Sequence, residues 1–594
     1  MKTRKTAFVL SILWFSIIQL NAQTVDMDQK LSGLDITINK ILKDWNVPGC
    51  GVGIVAKNRL VFAKGYGYRD LDKKLPVTPN TLFQIASNTK LFTATAIGFL
   101  VEEGKLDWDK PIKKYVPQIQ FYNDELNSNV TIRDMLSHRT GISRHDNIWY
   151  KSDFTRQELF DRLKFLEPSI PLRQGFLYNN LMYCAAGQIV EYLSGQKWEA
   201  FIKNKIFSPL SMSHSMFVVA EMQKQPDFMS PYYEKRDTTT LLPYPFYTQM
   251  EGVGPCGSII SNINDLSNWL IAQMNDGKFK YQQVIPSNII KETLQPASIS
   301  ASVPDKYYEN LNSIYGMGRL TSSYKGHYRT MHGGAIGGIY SNLSFMPADS
   351  LGIIVFINGA HAYQLPGIIA NTIYDLLLNT DKTPWSERAL KDYLKDKATD
   401  REARSKPDID RVPNTKPSHP LSDYTGKYED PAYGQMEIKE KDGVLSFLFN
   451  NTMMPLQHYH YDRFVSADDE INGKWSLMFN SDAQGAVQQI KVSLDEKEVV
   501  FTKKADARLT DPEFIKNLTG QYELNGNILN IAISNNELIV NSAPPQHLEP
   551  YKGTTYRIRE FSDQTIGFII DEKGIATGCK FTYDGKTVIF TKKK

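Results

Sequence analysis

From Phe83 to Val101 the chain reads Phe-Gln-Ile-Ala-Ser-Asn-Thr-Lys-Leu-Phe-Thr-Ala-Thr-Ala-Ile-Gly-Phe-Leu-Val, an approach segment followed by a helix that is apolar almost all round and stopped by Gly104. Such a helix belongs in the centre of a large domain, because no face of it suits water. Two polar groups stand at its start, Ser87 and Lys90, and their three-residue spacing puts them on one helical face. Unpaired N–H groups and the helix dipole favour developing negative charge at that end. A hydroxyl beside a desolvated amine is one route to a nucleophilic serine. The same Ser-x-x-Lys spacing recurs at Ser194…Lys197 and Ser322…Lys325, but the first closes a helical pattern and the second lies in a polar loop. Only the Ser87 pair opens a buried helix.

Two further patterns carry polar groups suited to acyl chemistry. A turn bearing Pro171 and Gly175 delivers Tyr178 and Asn180 just ahead of an amphipathic helix. A tyrosine there can carry a proton, and an asparagine can orient both a lysine and a substrate amide. Later, His332-Gly-Gly334-Ala335 precedes strand-like runs at Leu343–Met346 and Leu351–Asn358. Glycines in a strand mark close approach of a ligand or of another backbone, and a strand N–H there can serve a substrate oxyanion. Tyr-x-Asn recurs at Tyr308 and Tyr340, whereas His-x-Gly occurs once. His138 and His145 each stand alone without metal spacing, so hydrogen-bonded structural roles are expected.

At the N-terminus, Lys2, Arg4 and Lys5 precede an apolar run from Ala7 to Leu20 and a plausible cut near Ala22. Residues 1–22 therefore read as a signal peptide, which implies a periplasmic or secreted protein with no stable membrane span afterwards. A formal charge of +3 over 594 residues argues against a nucleic-acid partner. The four cysteines, Cys50, Cys184, Cys256 and Cys579, lack metal-ligand spacing and suit buried packing positions, with a disulfide among the first three left open. Helical spacing from Leu31 to Leu42, then β-type runs Val52–Ala56 and Leu60–Ala63 joined by three residues, predict an α+β domain with an antiparallel sheet.

Together, Ser87-x-x-Lys90, Tyr178-x-Asn180 and His332-x-Gly334 resemble the beta-lactamase-related serine hydrolases, which include class C beta-lactamases, penicillin-binding carboxypeptidases, D-aminopeptidases and esterases. Further landmarks spread the resemblance over roughly 26–377, among them Thr131–His138, Gly254-Pro-Cys-Gly257 and Tyr315-Gly-Met-Gly318. The resemblance implies that Ser87 is the acylated nucleophile and that Lys90 and Tyr178 form a proton relay. It implies that Asn180, His332, Gly334 and Ala335 bind substrate, with the amides of Ser87 and Ala335 as oxyanion donors. No metal or organic cofactor is implied. His332 stands where class C beta-lactamases carry lysine, which looks more like the peptidase and esterase branches. The expected activity is peptidase, esterase or amidase on D-amino-acid or cell-wall-like peptides; the alternative is a penicillin-binding sensor that acylates without efficient turnover.

Beyond a catalytic part over 23–380, a charged helix and a linker with four prolines (407, 413, 417 and 420) occupy 381–420. An internal repeat follows. Tyr424-Thr-Gly-Lys-Tyr-Glu429 matches Leu518-Thr-Gly-Gln-Tyr-Glu523, and Val499-Val-Phe-Thr-Lys-Lys504 matches Val588-Ile-Phe-Thr-Lys-Lys593. Short alternating runs between these bookends predict two small antiparallel β-barrels, 421–507 and 508–594, similar to the lipocalin-like barrels that some relatives carry. His458 and His460 are expected to pack in the barrel rather than bind metal.

Overall fold

The computed structural model describes residues 27, 29–300, 306–406, 408–495 and 497–593, so the expected signal peptide lies outside the described residues. Among those described, no helix is long and apolar enough to cross a membrane. The chain divides into two units, 1–407 and 408–594.

In the first unit, α1 (Leu34–Asp44) leads into a hairpin of β1 (Gly49–Ala56) and β2 (Arg59–Asp70), followed by β3 (Leu75–Pro76). The hairpin turn is two residues, Lys57 and Asn58, both at positive φ (49° and 62°), which matches the twist of the flanking strands. Strand β1 begins earlier than its apolar run suggested because three glycines interrupt the pattern. Helices α2 (Thr89–Glu102), α3 (Asn180–Ser194) and α4 (Ile263–Met274) come next. Then follow β4 (Ser298–Ile299), β5 (Asn310–Tyr315), β6 (Leu320–Tyr324), β7 (His327–Ile336), β8 (Ile339–Met346) and β9 (Leu351–Ile357), with α5 (Leu365–Leu378) and α6 (Trp385–Ser405) closing the unit. The nine strands form one sheet in the order β4-β5-β6-β7-β8-β9-β1-β2-β3, with every neighbour pair antiparallel.

Alternation along β1 sends Val52 and Ile54 into a core shared with Leu34 and Ile38 of α1, Val355 and Ile357 of β9, and Ile369 and Ile373 of α5. Trp385 and Ala389 join that core with Leu390 and Tyr393 packed against it, so the first half of α6 is docked, and the helix is mostly polar and solvated, as its composition predicts, only beyond Tyr393. Elsewhere in the unit Phe83 stacks on Phe356 (3.6 Å) and Phe92 of α2 on Trp269 of α4 (3.8 Å). Every residue of α2 from Thr89 to Leu100 is buried. Gly104, at φ 71°, ends this helix by turning its N–H back to the Val101 carbonyl (2.9 Å).

The second unit holds two closed barrels of eight antiparallel strands. The repeated bookends are the seams: Tyr428 pairs with Lys503 in one barrel and Tyr522 with Lys592 in the other. At each seam the tyrosine hydroxyl donates to a carbonyl four residues back, Tyr424 (2.8 Å) or Leu518 (2.7 Å). The lysine ammonium lies over the tyrosine ring at 5.4 and 5.7 Å and donates to the carbonyl of Asp423 (2.6 Å) or Asn517 (2.7 Å). Burial, with help from Lys552, holds Lys503 down at about 8. The proline-bearing stretch is fastened to the first barrel by Arg411 to the Tyr459 carbonyl (3.1 Å) and Ser418 to Asp462 (2.7 Å). His458 shares a hydrogen bond with the Tyr461 carbonyl (2.7 Å), and His460 accepts from the Val412 N–H (3.3 Å).

Candidate active site

A single turn of 3-10 helix, Ala86–Asn88, precedes α2 and carries Ser87. Ala86 sits at φ 49°, a costly conformation for a residue with a Cβ and one that recurs at functional sites. The turn is held from the sheet. Ser341 of β8 donates to the Ile85 carbonyl (3.0 Å) and accepts from Asn88 Nδ2 (2.9 Å). Strand β7 must pass very close here, and only glycine fits at 334, where a Cβ would lie 2.1 Å from the Ile85 oxygen.

One turn into α2, the fully buried Lys90 points Nζ at Ser87 Oγ (3.1 Å), Asn180 Oδ1 (2.8 Å) and the Cys256 carbonyl (3.0 Å). All three acceptors are uncharged. The carbonyl comes from the short helix Gly254–Gly257, which Thr93 of α2 pins by donating to the Pro255 oxygen (2.6 Å). Asn180 is the first residue of α3, capped by the Asn179 side chain on the Met182 N–H. Its own amide donates to Asp146 Oδ1 (2.9 Å), which also accepts from Trp149 Nε1 (2.8 Å).

Tyr178 lies with its ring 4.9 Å from Lys90 Nζ. His138 clamps it. The His138 carbonyl accepts from the Leu177 N–H (2.8 Å), its Nδ1 accepts from the Asn179 N–H (3.0 Å), and its ring packs 4.3 Å from the Tyr178 ring. Burial, aided by the nearby Lys90, drives the His138 pKa well below its ordinary value. It is therefore a neutral ring whose accepting Nδ1 leaves the proton on Nε2. His332, on β7, has its ring centroid 6.3 Å from that of Tyr178. Burial first, then Lys90, hold it at about 4. With its Nδ1 on the Gly333 carbonyl (2.6 Å), the neutral ring leaves Nε2 to accept from the Tyr315 hydroxyl (3.0 Å).

Strand β6 pairs with β7 only as far as Met331, whereas β8 pairs as far as Ile336. Among the described residues, the β6-side edge of His332–Ile336 therefore has no strand partner. That edge, with Ser87, Tyr178 and Asn180, lines a cleft of about 660 Å³, a size suited to a small ligand. The structure thus gathers Ser87, Lys90, Tyr178, Asn180, His332, Gly334 and Ala335 around one cleft. Sequence reasoning assigned no role to Asp146, Tyr315, Ser341 or the Cys256 carbonyl. A main-chain oxygen leaves no residue signature, and the three side chains act through partners far away in sequence. The competing Ser-x-x-Lys pairs lie elsewhere: Lys197 meets Glu191 (3.4 Å) and Lys325 meets Asp375 (2.6 Å). His145 is a buried structural residue beside Ser143 (3.2 Å), and all four cysteines are buried and free.

Residues 34–370 match the family model for beta-lactamase, and 410–503 match a model described as a domain of unknown function. Unguisins hydrolase ungD of Aspergillus violaceofuscus is 26% identical over 428 residues, 68% of this chain and 75% of that protein. Protein flp of Staphylococcus aureus is 27% identical over 333 residues, 55% of this chain and 62% of that protein, so the chain spans less than two thirds of this relative. Among solved structures, the octameric penicillin-binding protein homologue from Pyrococcus abyssi aligns with a TM-score of 0.52 and 23% identity over 79% of this chain and 99% of that one, a likeness of fold.

Proposed function

For a chain that belongs to the beta-lactamase family, we propose hydrolysis of amide, peptide or ester bonds through an acyl-enzyme on Ser87. The observation that carries this reading is the buried Lys90 amine held 3.1 Å from the Ser87 hydroxyl by two other uncharged acceptors. Ser87 Oγ attacks the substrate carbonyl while Lys90, with Tyr178 beside it, takes the proton. The tetrahedral oxyanion forms between the amides of Ser87 and Ala335, donors that need no reorganisation as charge develops. The relay returns the proton to the leaving amine or alcohol, the acyl-enzyme forms, and water releases the acid. Asn180 holds Lys90 and receives the substrate amide. The unpaired edge of β7 suits an extended peptide. A relative named as a hydrolase of unguisins supports hydrolysis as the outcome, and peptides containing D-amino acids are the first substrates to try.

Ser87→Ala is expected to lower turnover by more than about 10³-fold and to abolish covalent labelling by a fluorophosphonate, with the melting temperature retained. Undiminished turnover in that variant refutes the assignment. Intact mass followed over time after addition of a penicillin separates a hydrolase, whose adduct leaves, from a protein that acylates once.

A further inference from the structure

The charge pattern of the cleft restricts what it can hold. Among the described residues lining it, the charged side chains are Arg144 and Asp146, and they are committed to each other, Nε to Oδ2 at 2.6 Å. The guanidinium also lies 5.0 Å over the Tyr178 ring, while Asp146 is held by Trp149 and Asn180 (2.8 and 2.9 Å). Lys90 is not among the lining residues; it is fully buried and occupied by its three acceptors. His332 faces the cleft as a neutral ring. A substrate carboxylate at the cleft wall therefore loses its water without gaining an unpaired cation among the described lining residues.

The walls point to what is accepted. Trp149, Tyr150, Met250, Tyr340 and Tyr363 line the cleft. Tyr150 is braced by stacking on Tyr247 (5.2 Å, 5°). The Tyr340 hydroxyl is already used on the Ala360 carbonyl (2.9 Å), so its ring is what the wall offers. Tyr363 stands 64% exposed at the rim, a large aromatic surface that a ligand would cover.

Resting on the reading of Ser87 as nucleophile, we propose that this enzyme selects neutral peptidic acyl donors. The residue contributing the scissile carbonyl carries an aromatic or large apolar side chain. The leaving group is an amide, an alcohol or an internal residue, not a terminal residue bearing a free carboxylate. In the step itself, the Ser87 Oγ–carbonyl bond forms as the carbon–nitrogen or carbon–oxygen bond to the leaving group breaks. The serine proton goes to that leaving group; water then adds its hydroxyl to the acyl carbon as the Ser87 Oγ–carbonyl bond breaks, and its remaining proton returns to Oγ. The protein is thus an amidase, esterase or internal peptidase, and not a carboxypeptidase.

The test uses the full-length protein and matched substrates: N-acetyl-Phe-Ala as free acid and as carboxamide, in D and L forms, and the corresponding Gly-Ala pair. Cleavage at the bond before alanine is read by mass, and each compound also competes against fluorophosphonate labelling of Ser87, so preference is read even where turnover is slow. The carboxamide should exceed the acid in kcat/KM, or in protection, by at least about tenfold, and Phe should exceed Gly by a similar factor. Tyr363→Ala should raise KM for the Phe compounds several-fold with kcat kept. Gln364→Lys, which sets a cation at the rim, should narrow the gap between acid and amide. An acid equal to or better than its amide, parity of Gly with Phe, or no competition by any neutral member overturns the selectivity. Loss of the nucleophile reading looks different: the wild-type protein is not labelled, or Ser87→Ala is labelled equally.

Discussion

At the scale of single residues, the site is built by holding neutral groups against one buried amine. His332 shows the cost. Its ordinary value near 6.5 is lowered to about 4 by burial and by Lys90, and His138 shifts in the same direction. As pH falls below 6.5, the unfolded chain takes up these protons before the folded one does. Stability is therefore complete above that pH and is lost as pH falls, for His332 progressively toward 4, by up to about 1.4 kcal/mol per pH unit for each histidine that titrates. Melting temperatures measured between pH 7 and pH 4.5 should fall more steeply for the wild type than for His332→Gln. Equal slopes would show that the histidine is not buried neutral.

At the scale of elements, the nucleophile turn and β7 are fitted to each other through glycine 334. A methyl group there meets the Ile85 carbonyl at 2.1 Å and Ser341 Oγ at 2.5 Å, so Gly334→Ala must push the strand off the turn. A displacement of this kind should cost about 10²-fold in kcat/KM by misplacing the amide of Ala335, with a smaller loss of melting temperature. Unchanged kinetics would show that the strand edge does not serve the reaction. The barrels illustrate the same dependence of sequence on contact. Their repeat is visible at Tyr428 and Lys503, and at Tyr522 and Lys592, because closing each seam reuses one set of contacts. Positions between the seams are free to diverge wherever apolar alternation survives.

At the scale of the whole molecule, two units each bury their own core. The residues proposed for catalysis all lie in the first, within 87–335. In the second, Asp482 of one barrel receives Tyr551 (2.7 Å) and Arg557 (2.6 Å) of the other. A chain ending at residue 406 should fold and cleave small substrates with kcat/KM within about threefold of the full-length protein. An insoluble or inactive product would show that the barrels complete the catalytic unit.

What the sequence settles by itself is local or periodic. The buried helix after Ser87, its stop at Gly104, the doubled barrel pattern and the chance for Ser87 to pair with Lys90 all follow from spacing and burial pattern, since side chains one helical turn apart can meet and strand faces must alternate. Asn180, 90 residues beyond Lys90, is expected from sequence to orient that lysine, but only tertiary structure decided that it comes within 2.8 Å, that the Cys256 carbonyl completes the set, and that β6 stops short and leaves an edge of β7 open. These depend on where chain segments distant in sequence come to rest. The physical reason is that a hydrogen bond is defined by position and direction in space, to which residue identity along the chain is only an indirect guide.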